Sequence, residues 1–196
     1  DVLASSVTDL GDVRLRQGRF LTGTVLNSVG SPVFNADVDA RDLITDEKIV
    51  TPGDNTNSSG VFGIWVPEGD LEIEIDPPNG STFVPLLQEI NVPATGVDLG
   101  ILTMVEGVAV SGVVVDGTQS VVPGVDLDFL ISASGVEIPT ADDNANSTGQ
   151  FSVQVVPYTY DIAFRPSFVT GLAPLVLSSV SVASNTDLGT VLLPDG

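Results

Sequence analysis

Residues 57–78 read NSSGVFGIWVPEGDLEIEIDPP, and this stretch decides the fold of the chain. Apolar side chains alternate with polar or small ones in the run 61–66 and again in the run 70–76. A period of two places the apolar side chains on one face of a β-strand, whereas an amphipathic helix requires a period near 3.6. Residues 67–69, Pro-Glu-Gly, are a turn signal between the two runs. The stretch therefore predicts two neighbouring strands joined by a short turn.

The same pattern returns 89 residues later. Aligning residues 18–104 with residues 107–193 without a gap gives 24 identities in 87 positions. A shorter match precedes both copies, because Asp-Leu-Gly at 9–11 stands 89 residues before Asp-Leu-Gly at 98–100. Internal repeats decide the architecture before any other pattern does. We therefore expect the terminal strand of a preceding repeat over 1–15, one β-sandwich repeat over 16–105, a second over 106–196, and a longer tandem array as the source.

Each repeat contains about seven short apolar runs separated by turn-forming residues. In the first repeat the predicted strands lie near 19–27, 34–43, 47–51, 61–67, 70–76, 83–92 and 98–104, and in the second they lie 89 residues later. Short strands at this spacing predict an all-β chain of two tandem seven-stranded antiparallel β-sandwich modules. The join at 104–107 lacks the composition of a flexible linker, which predicts that the two modules reorient little.

Two further expectations follow from the alternation. The segment 7–15 matches the last strand of each repeat, and we expect it to dock on a sheet edge, because an unpaired strand exposes backbone donors and acceptors. The side chains predicted to form the two cores are Val25, Val38, Phe62, Ile64, Ile73 and Ile75, and Val114, Leu127, Phe151, Val153, Ile162 and Phe164.

Composition excludes several classes of function. The formal net charge is −20, from 26 acidic and 6 basic residues, and such a surface repels nucleic-acid phosphates and anionic lipids. The chain has no His, the commonest general base, and no Cys. Residues 166–186 carry no charge, but their Pro and Gly residues favour buried strands over a membrane span. We therefore predict no nucleic-acid partner, no membrane insertion and no enzymatic activity.

Residues 22–40, TGTVLNSVGSPVFNADVDA, together with residues 57–78 resemble the carboxypeptidase regulatory-like domain, a transthyretin-like (prealbumin-like) β-sandwich. The second copy departs from that pattern at 157–159, where Pro-Tyr-Thr replaces the usual Pro-Gly turn. The resemblance implies sandwich repeats of an extracellular or cell-surface protein, with neighbouring repeats as partners and no catalytic residues. The matching positions are Gly23, Val25, Pro32, Val33, Ala36, Val38, Gly60, Phe62, Pro67, Gly69, Leu71 and Ile73, and in the second copy Gly112, Val114, Gly124, Val125, Gly149, Phe151, Pro157, Tyr160 and Ile162.

An Asp/Asn-rich loop in each repeat is the best candidate for a metal site. It reads DNTNSSG at 54–60 and DNANSTG at 143–149, and oxygen ligands on a tight loop suit Ca²⁺. Each loop follows a strand with two outward carboxylates that could add ligands. The alternative is that Asp, Asn and Gly only satisfy turn geometry, in which case no cofactor is bound. The candidate calcium ligands are Asp37, Asp39, Asp54 and Asn57, and Asp126, Asp128, Asp143 and Asn146.

Trp65 is the only Trp, and the alternation places it opposite the core side of its strand. An exposed indole can stack on a sugar, or it can cover a loop or the neighbouring module. Its counterpart in the second repeat is Gln154, so a sugar site common to both repeats is not expected. Lys48, the only Lys, has Glu137 as its counterpart, so the second repeat cannot form a lysine isopeptide bond.

Three functions remain open. The leading hypothesis is a non-catalytic structural spacer or stalk module of a secreted or cell-surface multidomain protein. The alternatives are a carbohydrate-binding accessory module of a secreted enzyme and a calcium-dependent adhesion module. Their partners would be a polysaccharide and a surface protein, respectively.

Overall fold

The computed structural model describes Asp12 and residues 17–196. Within this part the chain forms fourteen strands, one 3₁₀ turn (Phe168–Thr170) and no α-helix. The first seven strands are β1 (Arg19–Asn27), β2 (Asp37–Asp42), β3 (Lys48–Ile49), β4 (Val61–Val66), β5 (Gly69–Asp76), β6 (Leu86–Val92) and β7 (Val97–Met104). The second seven are β8 (Val108–Val115), β9 (Asp126–Ile131), β10 (Glu137–Ile138), β11 (Gln150–Val155), β12 (Tyr158–Arg165), β13 (Leu175–Val182) and β14 (Thr186–Leu192). The predicted strand at 7–15, and with it the repeat tail at 1–15, lies outside the described residues.

Each set of seven strands forms a three-stranded and a four-stranded sheet. The sheet orders are β4-β1-β7 and β3-β2-β5-β6 in the first set, and β11-β8-β14 and β10-β9-β12-β13 in the second. The prediction of an all-β chain of seven-stranded sandwiches is confirmed. One strand direction differs from the antiparallel expectation, because β7 runs parallel to β1 and β14 runs parallel to β8. Three chain reversals separate β7 from β4, which is itself antiparallel to β1, so β7 necessarily returns in the direction of β1.

The two sandwiches have separate cores. All twelve residues predicted to be buried are at most 4% exposed. In each core a Phe ring packs onto a glycine of the paired strand: Phe62 lies opposite Gly23, and Phe151 lies opposite Gly112. A Cβ added at Gly23 would lie 2.8 Å from the Phe62 ring, and one at Gly112 would lie 2.7 Å from the Phe151 ring. The recurring Gly and Phe therefore pack as a unit, because the Phe ring occupies the space that a side chain at the Gly position would fill.

Residues 104–107 connect the two sandwiches and are held by the loop that precedes β6. The amide of Val84 donates to the carbonyl of Val105 at 3.1 Å, and the amide of Gly107 donates to the carbonyl of Thr82 at 2.7 Å. The Val84 side chain lies against Gly107, where an added Cβ would be 2.7 Å from Val84 Cγ1 and 3.0 Å from the carbonyl oxygen of Val155. The join is thus a hydrogen-bonded segment in contact with both sandwiches.

The uncharged stretch 166–186 forms the 3₁₀ turn, β13, the first residue of β14 and their connections. The prediction of strand structure is confirmed, but the prediction that these strands are buried is wrong, because only Val182 of β13 is buried. Among the residues that the structure describes, no helix has the length and hydropathy of a membrane span.

Candidate functional site

The Asp/Asn loops use their asparagines to hold turns. Asn57 Oδ1 accepts hydrogen bonds from the amides of Ser59 (2.9 Å) and Val61 (3.1 Å). Asn146 Oδ1 accepts them from the amides of Thr148 (2.9 Å) and Gln150 (3.1 Å). A side-chain oxygen that accepts two backbone amides two and four residues ahead stabilises a tight turn by itself. The equivalent roles in both repeats explain why Asn recurs at this position.

The loop lies alongside the residues that lead into β2, as the calcium hypothesis requires. Thr56 is 1% exposed, and its hydroxyl accepts from the amide of Ala36 and donates to the carbonyl of Val33, both at 2.8 Å. In the second sandwich the amide of Ala145 donates to the carbonyl of Val125 at 2.8 Å. These contacts bring the loop carboxylates beside the first carboxylates of β2 and β9.

The loop carboxylates are partly buried and hydrogen-bonded. Asp54 Oδ2 accepts from the Thr51 hydroxyl, and Asp143 Oδ2 accepts from the Thr140 hydroxyl, both at 2.7 Å. Burial raises the pKa of Asp143. Burial, reinforced by the charge of Asp54, raises the pKa of Asp37. Each of these two carboxyl groups therefore binds a proton more readily than a carboxyl group in water.

The second carboxylate of each strand pairs with a basic side chain. Lys48 Nζ lies 2.6 Å from Asp39 Oδ2, and that hydrogen bond raises the pKa of Lys48. Arg165 Nε forms an ion pair with Asp128, which is 9% exposed. Asp39 and Asp128 thus have cationic partners from the chain itself, which competes with a role as metal ligands.

In the part of the chain that the structure describes, no group of three or more acidic or His side chains is arranged to hold a metal ion. Calcium binding by these loops stays a prediction. Its eight candidate ligands are in two sets of four: Asp37, Asp39, Asp54 and Asn57, and Asp126, Asp128, Asp143 and Asn146.

A melting experiment tests the calcium hypothesis. If Ca²⁺ binds, its ligands should lie at about 2.3–2.6 Å, and removal of the ion with a chelator should lower the melting temperature at fixed ionic strength. Asn146→Ala is expected to cost about 1 kcal/mol in either case, because the amides of Thr148 and Gln150 lose their acceptor. Asn146→Asp retains that acceptor and serves as the control. Identical melting with Ca²⁺ and with chelator would leave only the turn role.

The outer face of β2 and β5 carries a row of facing carboxylates that the sequence prediction did not include. Asp37 lies opposite Asp76, and Asp39 lies opposite Glu74. Burial, together with the neighbouring carboxylates, raises the pKa of Glu74 and of Asp76. Like charges directly opposite each other in a sheet destabilise it. The alternation Glu72-Glu74-Asp76 was a signal for this face, but only the strand register shows which charges become neighbours.

A cleft of about 440 Å³ lies between the two sandwiches. Asp37, Asp76 and Asn79 line it from the first sandwich, and Thr140 and Asp142 line it from the second. The charge of Asp142 contributes to the raised pKa of Asp76, so carboxylates of both sandwiches act on each other across this cleft.

Trp65 is 66% exposed, as the alternation predicts. Its ring packs on Phe20 with centroids 5.2 Å apart, and the Phe20 ring lies over Gly63, where a Cβ would be 2.6 Å away. Trp65 also borders a depression of about 510 Å³ whose polar lining includes Gln17 and Lys48. Phe20 could not be predicted as a partner of Trp65 from the sequence, because the pairing of β1 with β4, and not the spacing along the chain, brings the two rings together.

Comparison with known proteins adds likenesses of fold. No protein-family model matches the chain, and no curated protein matches it. The shaft pilin SpaA of Lactobacillus rhamnosus GG is 11% identical, with 91% of this chain and 98% of that chain covered and a TM-score of 0.40. The Streptococcal ancillary pilin is 14% identical, with 92% and 63% covered and a TM-score of 0.37. The Bacillus anthracis TIE protein is 15% identical over 91% of this chain with a TM-score of 0.38, and the chain spans about a third of its length (34%).

Proposed function

We propose that this chain is a non-catalytic structural spacer, or stalk, of a secreted or cell-surface multidomain protein. The observation that carries the proposal is the short join, which the hydrogen bonds of Val84 and Gly107 hold against the first sandwich and which lies beside Val155 of the second. We assign the two repeats to residues 16–105 and 106–196 and relate them to carboxypeptidase regulatory-like repeats.

Repeats that are joined without a flexible linker contact mainly their neighbours, so the length of a stalk grows with each repeat. The net charge of −20 keeps neighbouring stalks apart and soluble. The chain offers no Ser-His or Cys-His pair, since it contains neither His nor Cys. A role as a structural spacer therefore explains more features of the chain than a catalytic role does.

Small-angle X-ray scattering of the intact chain tests this function. We expect an elongated particle with a narrow distribution of shapes. Gly107→Ala should broaden that distribution, because the new Cβ would meet the Val84 side chain and the backbone of Val155. Gly117→Ala is the matched control, since a Cβ there meets nothing within 4 Å. A broad distribution for the unchanged chain would contradict the stalk.

Carbohydrate binding is the second candidate function, and the exposed pair Trp65 and Phe20 is the observation that favours it. An exposed indole beside polar side chains can stack on a pyranose ring and hydrogen-bond its hydroxyls. Micromolar binding to a polysaccharide panel that Trp65→Ala abolishes, and that Tyr158→Ala leaves unchanged, would support it. Tyr158 is 51% exposed on the second sandwich and controls for the loss of a surface aromatic. If no polysaccharide of the panel binds, the stalk is the one proposed function that remains.

A further inference from the structure

The C-terminal end of the second sandwich repeats the hydrogen bonds of the internal join. The amide of Ala173 donates to the carbonyl of Pro194 at 2.9 Å, as that of Val84 does to Val105 at 3.1 Å. The amide of Gly196 donates to the carbonyl of Gly171 at 2.9 Å, as that of Gly107 does to Thr82. An isolated bridge joins residues 172 and 195, and another joins residues 83 and 106. Each pair of equivalents is 89 residues apart, so Gly196 occupies the position that Gly107 occupies at the join.

The two ends differ in what covers them. Pro85 is buried and Ser81 is half-buried at the internal join, whereas their equivalents Pro174 and Thr170 are exposed. The local backbone contacts are the same at both ends, so the additional burial at the internal join comes from the sandwich that follows it. The C-terminal end has the geometry of a join and lacks this cover.

Apolar side chains mark the uncovered end. Phe168 is 93% exposed and Val169 is 75% exposed, beside the half-buried Leu172. The turn that carries them is ordered, because the amide of Thr170 donates to the carbonyl of Ser167 at 3.0 Å and its hydroxyl donates to the same oxygen at 2.7 Å. The equivalents of Phe168 and Val169 at the internal join, Asn79 and Gly80, are also exposed, so the cover at a join falls on the positions of Ser81 and Pro85. We name residues 168–174 the C-terminal face.

The N-terminal end of the first sandwich corresponds to the surface that a docked sandwich turns towards the sandwich before it. Gly18 and Val66 are the equivalents of Gly107 and Val155, and beside them Val50 is 86% exposed and Trp65 is 66% exposed. At the internal join the Val84 side chain lies against Gly107, and the backbone of Val155 lies beside the same glycine. The depression of about 510 Å³ at Gly18, Val50, Trp65 and Val66 has room for an apolar side chain of this kind.

We propose that the C-terminal face docks a further β-sandwich of the same type, joined covalently through Gly196, which covers Pro174 and Thr170 as Pro85 and Ser81 are covered at the internal join. A separate copy of the chain would not fit in this way, because its Gly18 would have to lie where Gly196 already lies. The inference rests on the proposed stalk function and deepens it by naming the surface and the partner that extend the stalk.

The test appends residues 19–107 directly after Gly196 of the full chain and measures the exposure of the C-terminal face. The chain has no Cys, so the thiol of Pro174→Cys, at the position equivalent to the buried Pro85, reports on one position alone. We expect its reaction with a maleimide to slow by a factor of about ten or more in the extended chain, because contact with a neighbour protects it. Ile44→Cys, at an 84% exposed position of the first sandwich, should react equally fast with and without the extension.

A matched extended chain with Gly-Ser-Gly-Ser inserted after Gly196 breaks the register of the join and should restore fast labelling at position 174. Equal rates in the direct and spaced extensions would overturn the inference. Should circular dichroism show that the appended repeat does not fold, residues 108–196 replace it, and the same comparison decides. Scattering of the unextended chain tests the stalk separately, so a stiff two-sandwich particle with an exposed Pro174→Cys thiol in the extended chain would reject only this inference.

Discussion

Replacement of Phe151 by alanine is expected to lower the free energy of unfolding of the second sandwich by about 3–5 kcal/mol. Phe151 is 4% exposed, and its ring packs edge-on against Phe164 with centroids 5.6 Å apart. The ring also lies over Gly112 of the paired strand, so its removal leaves a cavity in the core between the two sheets. Denaturant unfolding and, separately, calorimetry should show the loss of stability in the transition of one sandwich only, since the two cores are separate clusters.

Phe168→Ala is the matched control, because it removes the same side chain from a 93% exposed position. It should change the free energy of unfolding by no more than about 0.5 kcal/mol. Phe62→Ala should cost the first sandwich as much as Phe151→Ala costs the second, and the two losses should add because the sites share no partner. Similar values for Phe151→Ala and Phe168→Ala would contradict the assignment of the core.

The melting temperature is expected to rise as the pH falls from 7 towards 4.5. Burial and neighbouring carboxylates raise the pKa of Asp37, Glu74 and Asp76 in the folded chain, and burial raises that of Asp143. A raised pKa means that the folded state binds the proton more tightly than the unfolded state does. The resulting stability is fully present below the ordinary values, 3.8 for Asp and 4.5 for Glu, and is lost as the pH rises through the raised pKa.

Two carboxylates act in the opposite direction but at lower pH. Hydrogen bonds from Thr118 and from Ser132 lower the pKa of Asp116 and of Asp161, respectively. Their stabilisation is present above 3.8 and is lost only as the pH falls through the lowered pKa. The interval from pH 7 to 4.5 therefore reports mainly on the buried and facing carboxylates.

Glu74→Gln should raise the melting temperature at pH 7 and flatten its dependence on pH, because it removes one charge from the facing pair with Asp39. Glu137→Gln removes one charge opposite Leu130 and should leave the slope unchanged. A melting temperature that falls steadily from pH 7 to 4.5, or an equal effect of both substitutions, would show that carboxylate repulsion on this face does not limit stability.

Local pattern was sufficient for the strands and for the side of each strand that is buried. The alternation around Phe62 and Ile73 predicted two strands with the correct inward faces, and the 89-residue repeat carried the prediction to Phe151 and Ile162. Alternation reports the direction of each side chain relative to its own backbone, which depends on neighbours in the sequence alone. For the same reason it placed Trp65 on the outside.

For the candidate sites, the sequence predicted which residues could take part but not which of them become neighbours. The turn role of Asn57 and Asn146 follows from local geometry, and sequence reasoning named it as one of two alternatives. The pairing of Asp39 with Lys48 depends on which strands become neighbours, and so does the facing of Asp37 and Asp76. These contacts join positions 9 and 39 residues apart, across chain reversals whose lengths do not fix a register.

The sequence by itself determined a two-fold repeat of seven short strands, a strongly acidic surface and two cores built on a recurring Gly and Phe. Only the tertiary structure decided that β7 pairs parallel to β1, that the carboxylates of β2 and β5 face each other, and that the ends of the repeats share one set of backbone hydrogen bonds. The physical reason is that strand formation depends on side-chain periodicity along the chain. Strand pairing and the join between sandwiches depend instead on backbone groups, which every residue except proline carries alike.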